Sequence, residues 1–194
     1  MRRRHALPSL ILMTDQRQGE ALWAALAALP RGAAVIVRDY ERSPAERRTR
    51  FERVRRIARR RGLVVLLAGT PAEAVRVRAD GCHGPAAGRR HPRPMLRSMA
   101  AHDRCELIAA RRAGADLVLV SPVHATRSHP GARYLGRVRI GLMLGRGSRE
   151  RIVALGGMTA GRARALSKLG VKRWAAIDGL TPAGQHQKRK AVPI

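Results

Sequence analysis

The sequence predicts an α/β fold, a single-domain TIM (β/α)8 barrel whose last helix is short or absent. Three observations lead there. Short apolar runs alternate with longer charged segments almost to the end of the chain. Those runs are apolar throughout, as expected where both faces of a parallel sheet are covered. No Gly-x-Gly-x-x-Gly follows the first run, which argues against an open doubly wound sheet, the main alternative.

The elements follow in order. Strong strands are expected at residues 10–13, 34–37, 63–67, 117–120, 152–155 and 174–177, with weaker ones at 80–83 and 98–102. Between them lie helix signals. Ser43-Pro44-Ala45-Glu46 and Thr70-Pro71-Ala72-Glu73 each combine an N-cap, a proline in the first turn and a capping-box glutamate. Asp103 can cap a helix over 104–113 that ends at Gly114, and Thr159 one over 160–169 that ends at Gly170. Residues 84–94, rich in Gly, Pro, Arg and His, read as a loop in place of a helix. The expected organisation is a basic N-terminal tail (1–6), one barrel (7–180) and a basic C-terminal tail (181–194).

Composition narrows the classes. At 194 residues and 45% hydrophobic content the chain can bury a core, so wholesale disorder is excluded. The net charge of +27 raises nucleic-acid binding, but aromatics make up only 3% and the arginines run through nearly every helix. Solvated helix faces, with some attraction for anionic substrates, are the preferred reading; no specific nucleic acid is expected. Cys82 and Cys105 have no metal-ligand spacing, and the apolar stretch 21–29 is too short to span a membrane. A soluble, reduced, cytoplasmic protein is expected, and a homodimer is left open.

In such a barrel the chemistry stands at the C-terminal ends of the strands. At the seventh, Leu155-Gly156-Gly157-Met158-Thr159 offers backbone amides and a helix N-terminus to an anion, and Ile177-Asp178-Gly179 closes the eighth. The alternative is that the glycines only turn strand into helix. After the sixth strand, residues 121–131 gather His124, Thr126, Arg127, Ser128 and His129 in one donor-rich loop, able to close over an anion or to be plain surface. His102 and His124 are candidate proton carriers, with structural hydrogen bonding as the alternative.

Three stretches in series, Ala79-Asp80-Gly81-Cys82-His83, Ala113-Gly114-Ala115-Asp116 leading to Ser121-Pro122 and Thr126, and Ala154-Leu155-Gly156-Gly157-Met158, resemble the thiamine phosphate synthase family, with its related thiazole tautomerases. The resemblance covers about residues 7 to 180. It implies thiamine biosynthesis: a transferase joining an aminopyrimidine diphosphate to a thiazole phosphate, with phosphorylated small molecules as partners. Under it Gly156, Gly157, Ile177 and Asp178 hold the thiazole phosphate. Arg38, Tyr40, Thr126 and Ser128 serve the pyrimidine diphosphate, with Thr126 and Ser128 on the departing diphosphate, while Arg127, a bidentate phosphate ligand, and His129 stand beside them as catalytic candidates. It implies Mg2+ too, but the usual ligand positions fall on Ala68 and Gly69 and in the acid-free 84–94 loop, so no metal residue is assigned. The family's strand-five serine is Ala100, its strand-six lysine has His129 near its place, and its Gln-x-Arg-x-Lys pattern becomes Val37-Arg38-Asp39-Tyr40. A metal-independent tautomerase using His102 or His124, or a non-catalytic phosphate-ester binder, is the alternative function.

Overall fold

A computed structural model describes residues 6–40, 42–88, 92–126, 131 and 133–181. Its eight strands are β1 (Leu10–Met13), β2 (Ala34–Val37), β3 (Val64–Ala68), β4 (Gly81–His83), β5 (Leu96–Ala101), β6 (Leu117–Val120), β7 (Ile152–Ala154) and β8 (Arg173–Ala176). They pair in chain order, all parallel, and close where Leu12 of β1 stands opposite Ala176 of β8. The helices are α1 (Ala21–Ala28), α2 (Pro44–Arg61), α3 (Pro71–Arg76), α4 (Arg104–Arg112), α5 (Gly136–Leu144) and α6 (Ala160–Ser167).

The apolar runs close a barrel because both strand faces are covered. Ile11, Met13, Ile36, Leu66, Leu119 and Val153 belong to a buried cluster drawn from the strands, which fills the interior. Their neighbours one residue along, Leu12, Val35 and Val65, pack outward on Leu22, Leu26 and Phe51. The two-residue alternation of a strand sorts each run between the two layers. A second outer cluster sets Leu107, Ile140 and Leu166 against Val118, Val120 and Ile152.

The anticipated caps are formed. Ser43, Thr70, Asp103 and Thr159 each accept a hydrogen bond from the amide three residues on, and Ser43 and Thr70 complete capping boxes with Glu46 and Glu73. Four helices therefore start in fixed register just after the strands that carry the mouth.

Five strands differ from the expected limits; β3 and β8 are displaced by one residue and β7 is one residue shorter, while β4 and β5 differ for a visible reason. β5 runs over Leu96–Ala101, because Leu96 pairs with Gly81, so His102 falls in the loop beyond it. β4 is only Gly81–His83; a Cβ at Gly81 would stand 2.1 Å from the Leu96 carbonyl oxygen, so glycine permits the close approach of β4 and β5. In the 84–94 segment a 3-10 turn, Pro85–Gly88, stands instead of an α-helix among the described residues. Another, Asp178–Leu180, follows β8 where the last helix would be. The expected tails at 1–6 and 181–194 lie almost wholly outside the described residues. Among the described residues no helix is long and apolar enough to cross a membrane.

Candidate functional site

Two cavities open at the C-terminal ends of the strands. The larger, about 680 Å3, has Met13, His83 and Ala100 on its walls, with Arg38, Thr126 and Ile177 nearer the loops. The smaller, about 280 Å3, is lined by Gly156, Gly157, Thr159, Arg162, Asp178 and Gly179. Thr126, Leu155, Gly156 and Ile177 line both, so one wall separates two chambers.

The β1 and β2 ends build one flank of the larger chamber. Thr14 is fully buried; its hydroxyl accepts from the Arg38 amide at 2.9 Å and its carbonyl from Arg38 Nε at 3.3 Å, which fixes Arg38 at the mouth. Asp15 caps the turn Gln16–Gln18 and takes Arg17 in a forked pair, Nε to Oδ1 at 2.7 Å and Nη2 to Oδ2 at 3.0 Å. Arg38 adds a charge at 3.6 Å. Burial opposes ionisation of Asp15, yet the Arg17 hydrogen bonds and the charges of Arg17 and Arg38 hold its carboxyl below the usual range. Arg17 in turn feels Asp178, so the charge chain reaches β8. Gln18 donates to the Ile177 carbonyl at 3.4 Å, tying the same two loops.

On β4, His83 is 7% exposed, and its Nδ1 lies 2.9 Å from the buried Ser98 hydroxyl. Burial, helped by the Arg38 charge, pushes the imidazole down to about 4, so the cavity wall there is neutral at physiological pH. Arg42, Arg133 and exposed Tyr40 stand at the rim, with Arg47 over the Tyr40 ring at 5.9 Å.

The smaller chamber is built from backbone. Gly156 and Gly157 have φ of +95° and +59°, and a Cβ on them would stand 2.7 Å from Pro122 Cα and 2.3 Å from the Ala125 carbonyl oxygen. The β7 and β6 loops pair through Val123 N to the Leu155 carbonyl (2.8 Å) and His124 N to the Gly156 carbonyl (3.1 Å). At Gly179 a Cβ would stand 2.1 Å from the Met158 carbonyl oxygen. Arg162, in the first turn of α6, donates to the Gly157 carbonyl. The glycines thus serve tight loop packing and an open chamber floor together. Unshielded amides, a helix start and a guanidinium make a lining suited to an anion.

The residues anticipated from sequence separate into three groups. Gly156, Gly157, Ile177, Asp178 and Thr126 meet at the smaller chamber; Arg38, Tyr40, Thr126 and His102 stand on the larger. His102 takes its Nδ1 to Glu106 Oε2 at 2.9 Å. His124 lines neither chamber: a Cβ on Gly157 would stand 3.0 Å from the His124 Cβ, the His124 Nε2 is buried without a hydrogen-bond partner, and burial with the Arg162 charge lowers its pKa. Arg127, Ser128 and His129 lie outside the described residues. Arg38 forms an ion pair with Asp15, whereas its neighbour Asp39 faces Arg50 at 3.2 Å. The sequence reading missed Thr14, Asp15, Arg17, Arg42, His83, Arg133 and Arg162. The polar run after the first strand was the available signal, since every strand end contributes to a barrel mouth.

The carboxylates here do not fit a magnesium ion. Both Asp15 oxygens are taken by arginine, Asp39 faces Arg50, and no group of three or more His, Cys, Asp or Glu able to hold a metal occurs among the described residues. At Gly69 a Cβ would stand 2.7 Å from the Glu73 carboxylate, so the α3 capping box fills the space a side chain there would need.

The closed barrel with two chambers at its mouth defines a TIM barrel. The chain belongs to the family described as Thiamine monophosphate synthase, whose profile matches residues 10–180. Among solved structures it resembles thiamine phosphate pyrophosphorylase from Pyrococcus furiosus, with a TM-score of 0.70, 21% identity and coverage of 91% of this chain and 89% of that one. The Bacteroides thetaiotaomicron thiamine phosphate pyrophosphorylase gives 0.59 at 16% identity, covering 93% and 89%. A structure described as native KDPGal gives 0.63 at 14% identity, covering 95% and 89%. These likenesses, all under 25% identical, are likenesses of fold. No curated protein matches the chain in sequence.

Proposed function

We propose that this protein joins an aminopyrimidine diphosphate to a thiazole phosphate and releases diphosphate. The observation that carries this reading is the pair of chambers sharing Thr126, Leu155, Gly156 and Ile177, each with a lining suited to an anion. The thiazole phosphate belongs in the smaller one, on the amides around Gly156, Gly157 and Asp178, with Arg162 above. Asp178 opposes a phosphate by charge, and its proximity to Arg17 offsets that cost. The pyrimidine diphosphate belongs in the larger chamber, with Arg38 and Thr126 toward the diphosphate and Tyr40 toward the ring.

The chemistry asks for charge stabilisation rather than proton transfer. The bond from the pyrimidine methylene carbon to the diphosphate oxygen breaks, and its electron pair leaves with the diphosphate. The thiazole nitrogen lone pair then forms the new carbon–nitrogen bond, leaving the ring cationic. Fixed guanidinium groups beside the leaving oxygens neutralise the growing charge at little reorganisation cost. Incubation with both substrates should yield thiamine phosphate by mass spectrometry, and Arg38→Ala should raise KM for the pyrimidine diphosphate at least about tenfold, the scale of one charged hydrogen bond. Absence of product at enzyme levels matching substrate would overturn the transferase reading.

A tautomerase reading rests on His102, which lines the larger chamber beside Glu106. It requires isomerisation without the pyrimidine substrate that His102→Ala abolishes.

A further inference from the structure

We infer that the larger chamber holds its phosphoryl anion through guanidinium groups alone, with Arg42 and Arg133 joining Arg38 as ligands and no divalent cation between protein and anion. The inference rests on the preceding section only for the choice of a diphosphate-class ligand.

The β1–β2 flank gathers arginines. Arg17 and Arg38 flank Asp15, and Arg50 lies beside Asp39 and feels the Arg42 charge. Asp178 acts on Arg17, Glu20 on Arg50 and Glu46 stands by Arg42, with Arg133 on the rim besides. Several of these guanidinium groups are short of acceptors. Arg42 Nε, Arg50 Nε and Arg50 Nη2 are buried without hydrogen-bond partners, and neither Asp39 oxygen has an aligned donor although Arg50 Nε lies 3.2 Å away. Burial and the Arg42 charge both work against the charge on Arg50. Unsatisfied buried donors and mutual repulsion cost free energy that an incoming oxyanion recovers.

Arg42 is held where it can act. Its amide donates to the Asp39 carbonyl at 3.3 Å, closing the tight turn that leads from β2 to the Ser43 cap of α2. That turn sets the Arg42 side chain on the cavity wall beside Asp39 and Tyr40. A guanidinium fork bonds two phosphoryl oxygens in parallel, and two or three such forks carry the charge that a divalent ion would otherwise bring. The committed carboxylates described above leave that role to the arginines.

The test is calorimetric titration of inorganic diphosphate into the full-length protein, in EDTA and in excess magnesium. Binding in EDTA should be no weaker than in magnesium. Arg42→Ala and Arg133→Ala should each weaken it about tenfold or more, and Arg42→Lys should retain part of it. Arg48→Ala, on the exposed face of α2, should leave it unchanged. A requirement for magnesium, or a tightening of about tenfold on adding it, would overturn the inference. So would equal losses from Arg48→Ala and Arg42→Ala, which would mark diffuse attraction to a cationic surface. Should Arg42→Ala fail to fold, the exposed Arg133 carries the comparison. Metal-free diphosphate binding without product formation would sink the transferase reading alone. Product that forms only with magnesium would sink this inference alone.

Discussion

His83 shows how much a single buried side chain can set. Its imidazole is neutral in the folded barrel down to about pH 4, whereas an unfolded chain protonates near 6.5. Between those values the unfolded state binds the extra proton, so stability is full above about pH 6.5, falls as pH drops, and levels off below about 4. That difference corresponds to roughly 3 kcal/mol. Urea titrations across that range should show this slope in the native protein and lose it in His83→Asn, which keeps a neutral polar group beside Ser98. An unchanged slope would show that other groups carry the acid sensitivity. His83 lies in the stretch Ala79-Asp80-Gly81-Cys82-His83, whose spacing marks a strand but not which residues face inward. A register shift of one reverses that choice. Thr14 and Arg42 lie just beyond strands with no motif around them, and only the closed barrel sets them on one wall.

At the level of elements, two of the family stretches each contain an aspartate that is structural rather than chemical. Asp80 precedes β4 and Asp116 precedes β6, both at the N-terminal ends of the strands, opposite the mouth. Each exchanges two bonds with the second residue of the strand before it. Asp80 N donates to the Val65 carbonyl and its Oδ2 accepts from Val65 N at 2.9 Å; Asp116 does the same with Arg97, also at 2.9 Å. These carboxylates clamp β3 to β4 and β5 to β6. Asp116→Ala should cost about 1–2 kcal/mol and the more exposed Asp80→Ala less, measured by urea denaturation, with diphosphate affinity unchanged. Lost affinity in a folded variant would refute a purely structural role. The starts of α2, α3, α4 and α6 were legible, because their caps are local and the partners lie three residues away, whereas α1 and α5 start without a side-chain cap. The limits of β4 and β5 were not legible, because Leu96 joins its strand through a neighbour fifteen residues back in sequence.

For the molecule as a whole, the net charge is +27, and every described α-helix except α1 carries arginine. Self-repulsion of that size destabilises the compact state and is screened over about 8–10 Å at moderate salt. The melting temperature should therefore rise with sodium chloride, as read by calorimetry; a fall would mean that surface ion pairs outweigh the repulsion. The eight-stranded architecture was readable from the alternation of apolar and charged segments. The pairing of two chambers was not, because it depends on loops after β1, β2, β6, β7 and β8 meeting in space. That common partition has a kinetic consequence. A molecule that straddles it, gripped at both ends, surrenders its freedom of motion once, whereas two separate halves surrender it twice. The joined product is such a molecule until its grip on one side fails. Under the transferase reading, its escape and not the making of the carbon–nitrogen bond sets the pace of turnover.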